Sequence, residues 1–122
     1  MTNHNSTLHV NNIGLSIYLG WPENERLKRQ NILLDLKIVF PNTPTACDSD
    51  KLEDTVCYAG LIQDIHAMIG DKHFHLIEHL AATLHTFIKA KLPAQSRLLV
   101  SVTKHPKIHG FEGHVKFCFG DE

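Results

Sequence analysis

The stretch "QNILLDLKIVF" (residues 30–40) decides the fold class of this chain. Its apolar side chains fall on every second position, whereas Asp35 and Lys37 fall between them. The apolar positions are Ile32, Leu34, Leu36, Ile38 and Phe40. Alternation with a period of two predicts a β-strand that has one buried face and one polar face.

The segment before this strand predicts a partner for it. "TLHVNNIGLSIYL" (7–19) has a strand-like pattern, and "GWPENERLKR" (20–29) combines Gly, Pro and charged residues as a connecting hairpin loop does. Residues 1–6 are polar and are expected to be disordered.

Two helices are predicted after the loop at 41–55. In 58–70, apolar residues recur at helical spacing up to Gly70, and Tyr58 falls on the apolar stripe as a core tyrosine would. In 74–92 the same spacing predicts that Leu76, Leu80 and Leu84 pack inward.

Two further strands, at 96–104 and 113–120, complete the order β-β-α-α-β-β. This order predicts an α+β fold in which two helices cover one face of an antiparallel four-stranded sheet, within a single domain spanning 1–122. Because a thin sheet leaves edges that must be covered or paired, we also expect oligomerisation.

The composition excludes several functional classes. The net charge of −1, from 12 Lys and Arg against 13 Asp and Glu, gives no basic footprint for nucleic acid. No apolar run reaches the roughly 20 residues that span a membrane. The three cysteines are widely spaced and form no CxxC motif, and the polar start lacks the pattern of a signal peptide. We therefore expect reduced thiols in a cytoplasmic protein.

The histidine-rich stretch "HFHLIEHLAATLH" (73–85) raises the question of a metal site. On a helix, His75 and His79 would stand at i and i+4. The catalytic zinc motif HExxH has its glutamate directly after the first histidine, whereas this run reads HLIEH. We therefore predict no metal. A zinc site formed by His73, His75 and His79 is the alternative.

Three charged residues stay ambiguous when each is considered alone. Glu78 lies off the apolar stripe, as a solvated helix carboxylate does. Lys104 shares the parity of Leu98, Val100 and Val102, so it ends an apolar strand face with an ammonium group. A lysine at a sheet end that extends towards water and a functional lysine are equally consistent with this position. Glu25 lies among charges of both signs.

Taken together, five motifs resemble the dihydroneopterin aldolase family over nearly the whole chain. They are "IGLSIY" (13–18), "ERLKRQ" (25–30), "DKLEDTVCYAGL" (50–61), "HLIEHLA" (75–81) and "VSVTKHP" (100–106). The resemblance implies β2α2β2 subunits of the tunnelling fold (T-fold), whose sheets join into a barrel in a tetrameric ring, with two rings in an octamer. It also implies retro-aldol cleavage of 7,8-dihydroneopterin in folate synthesis, with neither metal, Schiff base nor other cofactor.

The resemblance also implies roles for individual residues. Glu78 matches the carboxylate that anchors the pterin by accepting its amino group and ring N–H in a fork. The backbones at Ile77 and Val56 match contacts to the same pterin edge.

The catalytic residues are implied in the same way. Lys104 matches the catalytic lysine, which removes a side-chain proton directly or through a water. Tyr58 matches a tyrosine from the adjacent subunit that protonates the enol-like intermediate. Glu25 matches the loop carboxylate that positions the substrate hydroxyls, so the active site would lie between subunits.

Two departures from the family pattern leave alternatives open. The loop before Glu25 is longer than usual, so either Glu23 or Glu25 could be the loop carboxylate. We choose Glu25 by counting back from Gln30, and Glu23 is the alternative. The last strand reads "GHVKFCFG" (113–120) instead of a Val-Gly-Val-x-Ile pattern.

The sister epimerase, which acts on dihydroneopterin triphosphate, is a second hypothesis. Arg26, Lys28 and Arg29 would supply the basic cluster that such a substrate favours. A third is a non-catalytic pterin-binding oligomer.

Overall fold

A computed structural model describes residues 5–121 of the chain. Residues 1–4, which belong to the segment expected to be disordered, lie outside the described residues. Within that segment, the carbonyl of Ser6 accepts a hydrogen bond of 3.0 Å from the backbone N–H of Phe40.

The order of the long elements is the predicted one, with short helical turns added in the loops. The elements are β1 (Thr7–Leu19), a 3₁₀ turn (Glu23–Leu27), β2 (Gln30–Val39), α1 (Ala46–Ser49), a second 3₁₀ turn (Leu52–Asp54), α2 (Tyr58–Ile69), β3 (His73–Phe74), α3 (Ile77–Lys89), β4 (Arg97–Lys104) and β5 (Val115–Gly120).

The sheet has five strands in the order β3-β1-β2-β4-β5, so the predicted count of four is wrong. The four long strands pair antiparallel as expected. The added strand, β3, pairs parallel with the end of β1 through Tyr18–His73 and Leu19–Phe74. Two residues are too few to show any alternation, so only the tertiary pairing reveals this strand.

The apolar face of the sheet and the two long helices form one core. The register Ile13–Leu34 and Leu34–Val102 places the alternating residues of β1, β2 and β4 on a single face. On this face α2 packs against β1, and α3 packs against β4 and β5. The expected arrangement of two helices on one face of the sheet is therefore confirmed.

A β-bulge at Asn12 keeps β1 in register with this core. The apolar residues of β1 change from even to odd positions between Val10 and Ile13, where the pairing with β2 shifts. Asn12 has a φ of 61°, and its N–H donates to Oδ1 of Asp35 at 2.7 Å. The extra residue at the bulge returns the following side chains to the buried face.

Two side chains predicted to be buried are exposed. Helix α3 begins at Ile77 rather than at residue 74, so Leu76 is its N-cap and is 46% exposed. Tyr58 is the first residue of α2 and is 55% exposed. Both residues stand at a helix start and lie outside the buried positions of their helices, which are Leu61, Ile65 and Ile69 in α2 and Ile77, Leu80, Ala81, Leu84 and Ile88 in α3. Leu80 and Leu84 are fully buried as predicted.

The cysteines Cys47, Cys57 and Cys118 form no disulfide and are exposed. Between residues 5 and 121, no helix combines the length and apolar character needed to cross a membrane.

Candidate functional site

The loop after β1 is fixed to the end of the sheet by one backbone hydrogen bond and by the Arg26 side chain. The N–H of Gly20 donates to the carbonyl of Phe74 at 3.0 Å. The guanidinium of Arg26 donates to the carbonyls of Gly20 at 2.8 Å and Trp21 at 2.7 Å. These bonds hold the first 3₁₀ turn, and with it Glu25, in one orientation.

Glu25 and Lys104 form the central pair of the site. Nζ of Lys104, at the end of β4, lies 3.3 Å from Oε2 of Glu25. The Lys104 side chain is 16% exposed and the Glu25 side chain is 32% exposed, so the pair is partly shielded from water. Nε2 of Gln30 lies 3.5 Å from the same Oε2 and also donates to the carbonyl of Leu19. Gln30 therefore ties the carboxylate to β1.

Gly20 is required for this position of the Glu25 carboxylate. A Cβ atom built on Gly20 would lie 2.4 Å from Cδ of Glu25, closer than any real contact allows. The absence of a side chain at Gly20 lets the carboxylate pack directly on the backbone. Neither Gly20 nor Gln30 has a role that the sequence predicts, because a glycine in a loop and a glutamine at a strand start have many uses.

A cleft of about 630 Å³ opens around the pair. Its walls come from the loop at 22–30 and from the consecutive residues 104–108. Its volume lies in the range of small-molecule sites, roughly 300 to 1,000 Å³.

Glu78 and Ile77 lie in the first turn of α3, which begins at the same end of the sheet. Ile77 is buried, whereas the Glu78 side chain is exposed. The N-cap residue, Leu76, offers no side-chain hydrogen bond, so backbone N–H groups stay available to a ligand. The rings of Trp21 and His75 meet edge to face at 5.9 Å, which joins this segment to the Glu25 loop.

Val56 and Tyr58 do not line this cleft. Val56 lines a different cavity of about 590 Å³, together with Leu61 and Lys91. Tyr58 is exposed and does not line the Glu25–Lys104 cleft. The chain therefore brings together Glu25 and Lys104 but does not bring Tyr58 to the same cleft.

His73, His75 and His79 each contact a different aromatic ring. His73 stacks on Tyr18 with a centroid distance of 4.5 Å, and His79 packs near Phe74. Because α3 begins at Ile77, the i, i+4 geometry expected for His75 and His79 on one helix is wrong. Over residues 5–121, no group of three or more His, Cys, Asp or Glu is arranged to hold a metal ion.

Comparison with known proteins gives the family of the chain. A family model described as dihydroneopterin aldolase matches residues 8–118. The chain belongs to the dihydroneopterin aldolase family. A curated relative from Chlamydia trachomatis, a probable dihydroneopterin aldolase, is 35% identical over 108 residues, which cover 87% of each chain.

Solved structures share the fold of this family. A dihydroneopterin aldolase from E. coli, in complex with neopterin, superposes with a TM-score of 0.82 at 16% identity and covers 96% of this chain and 99% of its own. One from Burkholderia thailendensis, bound to guanine, has a TM-score of 0.71 at 19% identity, with 97% and 93% covered. The predicted family, the aldolase class of enzyme and the mixed α+β fold are confirmed. The roles of individual residues and the subunit assembly stay predictions.

Proposed function

We propose that this chain cleaves 7,8-dihydroneopterin by a retro-aldol reaction, giving 6-hydroxymethyl-7,8-dihydropterin and glycolaldehyde. The observation that carries this proposal is the pair of Lys104 Nζ and Glu25 Oε2, 3.3 Å apart within a ligand-sized cleft. The complexes of the two structural relatives with neopterin and guanine support a pterin ligand, since both ligands carry an amino group beside a ring N–H.

The reaction requires a proton to leave the hydroxyl on C2′ of the substrate side chain. Lys104 takes this proton in its neutral amine form, directly or through a water, and the C1′–C2′ bond breaks. C2′ and C3′ leave as glycolaldehyde, while the electron pair enters the dihydropterin ring. Glu25 holds the hydroxyls near Lys104, and its preference over Glu23 is supported by its contact with the lysine, since Glu23 is exposed.

Tyr58 of an adjacent subunit then protonates the enol-like intermediate at C1′. The pterin is anchored by Glu78, whose carboxylate accepts the amino group and the ring N–H in a fork. The backbones at Ile77 and Val56 contact the same pterin edge. This arrangement uses the exposed carboxylate at the uncapped start of α3.

The subunits assemble into a homo-oligomer whose sheets join into a barrel, as a tetrameric ring or an octamer of two rings. Support comes from β5, an edge strand in which Val115 and Phe119 are each 39% exposed. Exposed apolar side chains on an edge strand favour pairing with another chain. The position of Tyr58 outside the cleft supports an active site between subunits.

The proposal is tested by incubating the purified protein with 7,8-dihydroneopterin and measuring glycolaldehyde release. Lys104→Ala should lower kcat by at least about 100-fold, the usual contribution of a positioned proton-transfer group. Lys72→Ala, an exposed lysine outside the cleft, is the matched control and should keep full turnover.

Two results would contradict the proposal. One is the absence of glycolaldehyde together with epimerisation of dihydroneopterin triphosphate, which would point to the sister epimerase. The other is undiminished turnover by Lys104→Ala, which would remove the lysine from the mechanism.

A further inference from the structure

The cleft around Glu25 and Lys104 carries more positive than negative charge. The side chains that line it include Lys28, Arg29, Lys104 and Lys107, against the single carboxylate of Glu25. A lining with excess positive charge favours an anionic ligand, because the potential inside a cleft is focused by its walls.

Two of these cations already have partners. Lys104 is paired with Glu25. Arg29 forms an ion pair with Asp71, donates to the carbonyl of Ser16 at 2.9 Å, and lies over the ring of Tyr18 at 4.6 Å from its centroid. The ammonium group of Lys104 and the guanidinium group of Arg29 are therefore not available as the main partners of a ligand anion.

Lys28 and Lys107 are the cations that remain. Both side chains are exposed, and within residues 5–121 neither takes part in an ion pair or a side-chain hydrogen bond. Lys28 follows the 3₁₀ turn that carries Glu25, and Lys107 lies three residues beyond Lys104. Two unpaired ammonium groups thus come to one cleft from separate segments, each close in sequence to a member of the central pair.

The pair Lys28 and Lys107 differs from the basic cluster of Arg26, Lys28 and Arg29 that was expected from the sequence. Arg26 is bound to the carbonyls of Gly20 and Trp21, so it holds the loop instead of serving a ligand. Lys107 replaces it, and only the folding of the β4–β5 loop against the 22–30 loop brings Lys107 to the cleft.

We propose that Lys28 and Lys107 bind a phosphate on C3′ of the substrate side chain, so that a 3′-monophosphorylated dihydroneopterin is the preferred substrate. This inference rests on the proposed function. One phosphate group carries nearly two negative charges at neutral pH, which two ammonium groups balance. Because C3′ is bonded to C2′, a phosphate on C3′ would lie in the cleft that Lys28 and Lys107 line when C2′ is beside Lys104.

The chemistry is unchanged by the phosphate. The proton leaves the C2′ hydroxyl, the C1′–C2′ bond breaks, and a proton is added at C1′. The second product is glycolaldehyde phosphate instead of glycolaldehyde. No bond to phosphorus breaks, and no oxidant or reductant is needed.

The test compares kcat/KM for 7,8-dihydroneopterin and its 3′-monophosphate, using the intact oligomer. We expect a preference of about tenfold for the monophosphate, because two partly exposed charge pairs each contribute a few-fold. This preference should fall as salt is raised, since exposed charges are screened. The double variant Lys28→Ala/Lys107→Ala should lower the ratio of the two kcat/KM values about tenfold.

A matched control removes two exposed lysines outside the cleft. Lys51→Ala/Lys72→Ala should keep the wild-type ratio, so a change there would mean that only net charge matters and would overturn the inference. Equal or better turnover of the unphosphorylated substrate, or a preference for the triphosphate over the monophosphate, would also overturn it. Failure to cleave any of these substrates would instead overturn the proposed function itself.

Discussion

Replacing Gly20 by alanine should inactivate the enzyme through Glu25 without unfolding the chain. The new Cβ atom would lie 2.4 Å from Cδ and Oε1 of Glu25 and 2.5 Å from Cγ. Ordinary contacts between such atoms are about 3.5–4.0 Å. The carboxylate must therefore move by about 1 Å or more, away from Lys104 and Gln30. A displacement of that size at a reacting centre costs about 100-fold in rate.

The substitution also has a cost in stability. Gly20 has a φ of +157°, which side-chain-bearing residues rarely adopt, so strain of about 1–3 kcal/mol is expected. A domain with an unfolding free energy of about 5–15 kcal/mol tolerates this loss. Urea unfolding measures the stability change, and glycolaldehyde release measures kcat/KM.

A double-mutant cycle separates the two effects. With Glu25→Ala there is no carboxylate to displace, so adding Gly20→Ala should cause no further loss of kcat/KM. Gly14→Ala is the matched control, because a Cβ atom there has no heavy atom within 4 Å, and it should retain activity. Additive losses in the cycle, or activity of Gly20→Ala within about threefold of wild type, would refute the steric reasoning.

Two further predictions concern the proposed roles of Glu78 and Tyr58. Glu78→Ala should abolish neopterin binding measured by calorimetry, because the fork to the pterin is lost, while urea unfolding stays unchanged because the side chain is exposed; retained binding would move the anchor elsewhere. Tyr58→Phe and Lys104→Ala should each be inactive as homo-oligomers, yet when co-expressed in equal amounts they should recover activity at about a quarter of the sites, as expected when each site takes one residue from each of two subunits. No recovery in verified mixed oligomers would place both residues in one subunit.

The long elements followed from the sequence because their signals are local. Alternation at Ile32, Leu34, Leu36 and Ile38 is set by the period of a strand, and each of these side chains is buried. The helical spacing in 77–89 likewise reflects one apolar stripe against the sheet. Where the pattern is short or lies at an element end, it was misleading, as Leu76 and Tyr58 show.

The candidate site likewise has some residues that the sequence predicted and others that only the structure brought to it. The motifs alone predicted roles for Glu25, Glu78 and Lys104, since a family resemblance depends on residue types and their order. They did not reveal that Gly20 and Gln30 hold Glu25, that Arg26 is bound by the loop backbone, or that Lys107 joins Lys28 at the cleft.

The sequence by itself determined the fold class, the order of the long elements and the family. The fold class and the element order depend on periodicity within each stretch of chain, and the family depends on motifs and their order along the chain. Only the tertiary structure decided the fifth strand, the surroundings of Glu25 and the set of unpaired cations. Those features depend on distances between segments such as Glu25 and Lys104, which are 79 residues apart in sequence and 3.3 Å apart in space.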